Sequence, residues 1–206
     1  MIEVLEPATD RRLTTLAAVK EELLIADSSK DILLQNLIDQ ASAYVEHYCN
    51  RTFALQKYKE TVAAHGGLYL ALSMRPVIDV ESVKENGQLI NDYVLETPDS
   101  GLLYRKAGWG WNPMLNWVIT WQPLPNADIQ TYEVVYTAGY ILPNGTGRTL
   151  PYDIERACIE IIKGWYVDIE AGRRIQSESI GDYSVTYARD MPTDILRTLD
   201  GWRSWL

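Results

Sequence analysis

The reading of the fold turns on residues 14–51, which hold TTLAAVKEELLI (14–25) and SSKDILLQNLIDQASAYVEHYCNR (28–51) on either side of a two- or three-residue polar elbow. In the second stretch Leu33, Leu34, Leu37, Ile38, Ala41, Val45 and Tyr48 recur at steps of three and four, so one helix face is apolar and the charged residues turn outward. A stripe of that width requires a packing partner. Ser28 with Asp31 three positions on resembles a capping box and predicts the start of the second helix.

The partner stripe lies near the other end of the chain. After Pro151, a residue suited to a first helical turn, Ile154, Ala157, Cys158, Ile161, Ile162, Trp165, Tyr166 and Ile169 form a second broad apolar face, ended by Gly172. Gly164 within it lowers helix propensity, so a close helix–helix approach or a slight bend is expected there. Pro192 opens a last short helix carrying Ile195, Leu196, Leu199 and Trp202. Between the two helical ends the period changes to short alternating runs at 58–62, 68–72, 80–84, 93–96, 102–105, 118–121 and 131–137, separated by Gly-, Pro- and Asn-rich turns. Asn86-Gly87 is the strongest hairpin signal, because both residues tolerate the positive φ of a two-residue turn. The expectation is an α+β protein. A small antiparallel helical bundle, with two N-terminal and two C-terminal helices from residues 1–51 and 150–206, carries a β-rich insert at 52–149.

Composition narrows the function. With 206 residues and 47% hydrophobic content the chain can bury a sizeable core. A formal charge of −9 argues against any mode of binding that neutralises phosphates. The two cysteines, Cys49 and Cys158, fall on predicted helix faces and suit a reducing compartment. No leader pattern is visible, and no stretch reaches the roughly 18 apolar residues of a membrane span. A cytoplasmic site of synthesis is expected.

Catalytic and ligand motifs are weak. His47 and Cys49 lie about 200° apart around a helix and cannot share a metal. No nucleophile elbow accompanies either histidine, and no cofactor is implied. The loop Asn144–Thr149 precedes a helix but lacks a phosphate-loop ending, and Pro151 removes one of its amides. Asp153 and Glu155 suit the first turn of a helix and Glu160 its solvated side; an enzyme would have to draw on carboxylates such as Asp153, Glu155 and Asp182. Among the tryptophans, Trp117 and Trp121 share one strand face and suit a core, while Trp109 and Trp111 in GWGWNP are expected to be exposed, as protein-interface anchors or as sugar-stacking platforms. The polar run Arg173, Arg174, Ile175 and Gln176, with the SIGDYSVTYA hairpin after it, forms an arm suited to reaching a neighbouring subunit.

Taken in order, LTTLAAVKEELLIADSSKDILLQNLIDQASAYVEHYCNRTF (13–53), RPVIDVESVKENGQLINDYVL (75–95), VVYTAGY (134–140), LPYDIERACIEII (150–162) and SIGDYSVTYARDMPTDILRTLDGWR (179–203) resemble the head-tail connector proteins of long-tailed bacteriophages, also called head-completion or adaptor proteins, in their longer, strand-bearing form. The resemblance implies a non-enzymatic subunit of a ring of about twelve copies. That ring would sit at the portal vertex in the virion neck, with itself, the portal and tail or stopper proteins as partners, and DNA would pass through without specific binding. No membrane is involved, and synthesis is in the bacterial host. The alternatives are a tail-terminator or other neck protein and, from a different class, a carbohydrate-binding module.

Overall fold

The computed structural model describes residues 1–64, 66–110, 130–171, 177–180, 183–186 and 192–204. The chain divides into two compact units, each assembled from two separate segments: a strand unit of Met1–Thr9 with Leu55–Tyr140, and a helical unit of Asp10–Ala54 with Ile141–Leu206.

The strand unit contains β1 (Ile2–Glu6), β2 (Gln56–Ala64), β3 (Tyr69–Ala71), β4 (Val77–Glu85), β5 (Gln88–Ile90), β6 (Val94–Leu95), β7 (Leu102–Tyr104) and β8 (Gln130–Ala138). Its main sheet runs β1-β2-β8-β4-β5 and a smaller one β3-β7-β6, with every neighbouring pair antiparallel. Alternation explains the core. Along β8, Tyr132, Val134, Tyr136 and Ala138 are buried while Glu133, Val135 and Thr137 face the other side. Tyr58 of β2 stands directly opposite Tyr136, with ring centroids 5.8 Å apart. The Asn86-Gly87 turn has φ of 50° and 79° and closes Glu85 against Gln88, the positive-φ hairpin its sequence predicts. The strand expected at 118–121 lies outside the described residues. One element differs from expectation: β1, assigned above to the bundle segment 1–51, pairs with β2, so residues 1–9 belong to the strand unit.

The helical unit holds α1 (Leu16–Glu22), α2 (Asp31–Cys49), α3 (Tyr152–Glu170) and α4 (Thr193–Asp200), together with the antiparallel pair β9 (Ser177–Ile180) and β10 (Tyr183–Thr186). The apolar stripes of α2 and α3 pack together, and α1 and α4 each touch both. Leu34, Leu37, Ile38, Ala41 and Val45 of α2, with Ile154, Ala157, Cys158, Ile161 and Ile162 of α3, are buried. Leu33 and Tyr48 are only half-buried.

Three local expectations are corrected. Thr15 caps α1, its Oγ1 accepting from Ala18 N at 3.1 Å, but Ser28 caps nothing. The linker between α1 and α2 runs from Leu23 to Lys30, longer than the two or three residues expected, and Lys30 occupies the N-cap of α2 without a side-chain capping bond. Asp27 instead closes a small turn, accepting from Ser29 N at 2.8 Å. Gly164 does not mark a close approach either: a Cβ built there meets no atom within 4 Å. Gly164→Ala is therefore expected to stabilise the isolated chain by about 1 kcal/mol, the difference in helix propensity, measurable as a raised midpoint in chemical denaturation.

Candidate functional site

The buried carboxylates and thiols of the helical unit are committed to holding it together. Glu46, in the last turns of α2, accepts from Phe53 N at 3.0 Å and pairs with Arg11 at 2.5 Å. Burial pushes its carboxyl up, while the Phe53 amide and the Arg11 guanidinium pull it back. Glu155 lies deeper than a helix-dipole residue would: it accepts from the buried Thr14 hydroxyl at 3.1 Å and is ion-paired with Arg148. Arg148 also stacks over Tyr152, 4.0 Å from the ring centroid, which draws the Asn144–Thr149 loop against the start of α3. Asp153 accepts from its neighbour Ile154 N and from Trp202 Nε1 at 2.8 Å. Asp153 and Glu155 thus serve different partners, and Asp182 lies outside the described residues.

The thiols are equally committed. Cys49 donates to Leu199 O at 3.6 Å, and Cys158 lies 3.8 Å from Ser42 Oγ, which itself accepts from Leu13 N at 3.0 Å. Burial raises Cys49 to about 11 and Cys158 to about 12, so both are protonated at neutral pH, the unreactive form. His47 is exposed while Cys49, two residues on, is buried, as their angular separation requires. His65 lies outside the described residues, among which no group of three His, Cys, Asp or Glu side chains could hold a metal.

The strand unit has a comparable polar knot. Glu60, buried on β2, accepts from Ser73 N at 3.1 Å, from the Ser73 hydroxyl and from Tyr136 OH at 2.6 Å, and Tyr136 OH accepts from Met74 N at 3.2 Å. Burial, reinforced by the bond to Glu60, drives the Tyr136 phenol upward. These contacts pin the turn after β3 to the main sheet.

Of the predicted interface residues, Trp109 is corrected. It is 1% exposed, with Nε1 donating to Leu103 O at 2.9 Å and its ring edge-on to Tyr132 at 5.1 Å. Its amphipathic indole finds both an apolar bed and an acceptor inside the unit, so it offers no surface to a partner or a sugar. Trp111, Arg173, Arg174, Ile175 and Gln176 lie outside the described residues.

Sequence reasoning missed two surface features. On the bundle, Tyr44 stacks with Tyr48 at 6.5 Å and meets Trp165 edge-on at 6.1 Å, and Tyr48 OH donates to Asp200 at 2.7 Å. At the end of α1, Leu24 projects into solvent from a left-handed residue with φ of 56°. A bulky residue just past a predicted helix end was the available signal, but it required the helix boundary to be placed correctly.

No helix among the described residues is long and apolar enough to cross a membrane. Among curated proteins no sequence matches the chain. Solved structures match across almost all of it. The neck of an empty gene transfer agent particle, computed with C6 symmetry, superposes with a TM-score of 0.58 at 15% identity, covering 99% of this chain and 95% of that one. The neck of a native gene transfer agent particle, computed with C12 symmetry, gives 0.56 at 16% identity with the same coverage. At that identity the likeness shows a shared fold. The family model described as head completion protein matches residues 12–205, spanning both terminal helical segments, the strands between them and the β9–β10 pair that follows α3; this chain belongs to the head completion protein family.

Proposed function

We propose that the chain is a structural head-tail connector subunit that joins with identical copies in a ring at the portal vertex of a phage or prophage particle. Portal and tail or stopper proteins are its axial partners, and DNA passes through the ring. The observation that carries this reading is the family match over residues 12–205. Likeness to chains from necks computed with C6 and C12 symmetry supports the cyclic arrangement.

The chemistry of the chain is compatible with a role that depends on shape. Among the described residues the buried carboxylates are held by internal donors and the thiols by internal hydrogen-bond partners, and the charge of −9 lets the chain surround DNA without gripping the phosphates. The arm Arg173–Gln176, with the β9–β10 hairpin, is proposed as the segment that reaches a neighbouring copy. A heterologous contact of this kind closes into a ring when the rotation per step divides the circle.

Native mass measurement and electron microscopy of the purified full-length chain, alone and mixed with its portal and tail proteins, test the proposal. Ring-shaped complexes of many copies seated on the portal are expected. A chain that stays monomeric in every mixture, with necks complete in particles lacking it, overturns the reading.

A further inference from the structure

The turn that ends α1 breaks a local rule. Ile25 N donates to Lys20 O at 2.9 Å and Leu24 N to Glu21 O at 3.2 Å. This pair of bonds closes a helix through a left-handed residue, usually glycine and sometimes asparagine. At the end of α2 the same pair runs from Arg51 to Glu46 and from Asn50 to His47, through Asn50 with φ of 49°. At the end of α1 the left-handed residue is Leu24, a bulky side chain in a backbone conformation that disfavours it. It is 93% exposed, so no contact with the other described residues offsets the strain. A local rule broken without an internal gain is what a functional position looks like.

Other exposed aliphatic residues lie on the elements that the elbow joins. Ile32, in the first turn of α2, is 78% exposed. Lys30 Nζ lies 2.7 Å from Glu170 Oε1 and ties this elbow to the last turn of α3, where Val167 and Ile169 are about half exposed. Among the described residues, the exposed carboxylates Glu21 and Asp27 have no basic group within ion-pair distance, and the last turn of α3 holds no basic residue to complement its dipole. The elbow is thus aliphatic at its tip; Lys20 and Lys30 are held by Asp31 and Glu170, which leaves Glu21 and Asp27 as its carboxylates without an ion-pair partner among the described residues.

We infer that this elbow is the acceptor for the Arg173–Ile175 segment of a second copy, an inference that rests on the ring reading above. Arg-Arg-Ile is the complementary chemistry: two guanidinium groups for Glu21, Asp27 and the carbonyl end of α3, and one aliphatic side chain for Leu24 and Ile32. Leu24 and Ile32 are exposed, and the ring reading asks for contacts between copies, so the occupant is taken from a neighbouring copy. Donor segment and acceptor elbow are different parts of the same chain, which makes the contact head-to-tail, the kind that generates rings.

The test uses the full-length chain mixed with its portal. Leu24→Asp and Leu24→Gly are expected to fold with circular dichroism like that of the parent and melting midpoints no lower, while ring yield falls by about tenfold or more. Charge reversal at Asp27→Arg weakens assembly, and Arg173→Asp in the same chain restores it. In assembled rings, oxidation of the paired variant Leu24→Cys with Ile175→Cys gives a ladder of disulfide-linked multimers, with little background from the buried Cys49 and Cys158. Full ring yield from Leu24→Asp, or a disulfide confined to single chains, overturns the contact and leaves the ring reading intact. An unaltered chain that forms no ring in any mixture removes both.

Discussion

Replacing Trp109 by alanine is expected to cost the strand unit about 3–5 kcal/mol, the range for emptying a buried aromatic site, and to lower its denaturation midpoint sharply. The indole is enclosed on several sides. Tyr132 meets it edge-on at 5.1 Å, Tyr93 lies 6.3 Å away, the Arg105 guanidinium sits 5.6 Å from its centroid, and Leu103 O takes its N–H. Alanine would open a cavity between the main and smaller sheets and leave that carbonyl without its donor. Domains of this size are stable by only about 5–15 kcal/mol, so much of the unit's margin would go. Trp109→Phe keeps most of the ring volume and is expected to cost about 1 kcal/mol for the lost hydrogen bond. Circular dichroism against denaturant separates the two variants. An alanine variant as stable as the parent would contradict the structural role assigned to this side chain.

The second large effect is in the helical unit. Arg148→Ala is expected to destabilise it by about 3 kcal/mol, because Glu155 would stay buried at the start of α3 with Thr14 as its remaining donor. Removing one partner of a buried pair leaves an uncompensated charge, whereas removing the whole group need not. Arg148→Met combined with Glu155→Leu and Thr14→Val should therefore recover most of the loss. Equal destabilisation of the single and triple variants would show that Arg148 acts through its packing on Tyr152 rather than through the carboxylate.

The parts of the fold that were legible in the sequence are those set by local periodicity and turn chemistry. The stripes on α2 and α3 follow from 3.6-residue spacing, and the β4–β5 hairpin from Asn86-Gly87. What was hidden depends on partners distant in sequence. The stretch IEVLE gives too short a run to declare itself a strand, and becomes β1 only because β2 offers an edge some fifty positions on. Trp109 could not be placed because an indole suits a wet surface and a dry core equally well, and the carbonyl of Leu103 decides between them. Glu155 carries the same lesson: its position in a first helical turn predicted a dipole effect, while its burial against Thr14 and Arg148 arises from packing. At the candidate interface the elbow was misread because Ser28 has the composition of a cap, whereas the chain caps α1 at Thr15 and leaves α2 without a side-chain cap.

The interleaved path of the chain bears on how the protein is born. When residue 140 has left the ribosome, every segment of the strand unit is available, and that unit can complete its sheet. The first two helices have emerged by then but must wait, with an oily face uncovered, until α3 is synthesised. Nascent chains stalled between these points should consequently be bound by chaperones at the α2 stripe, a dependence that vanishes once translation has passed residue 170.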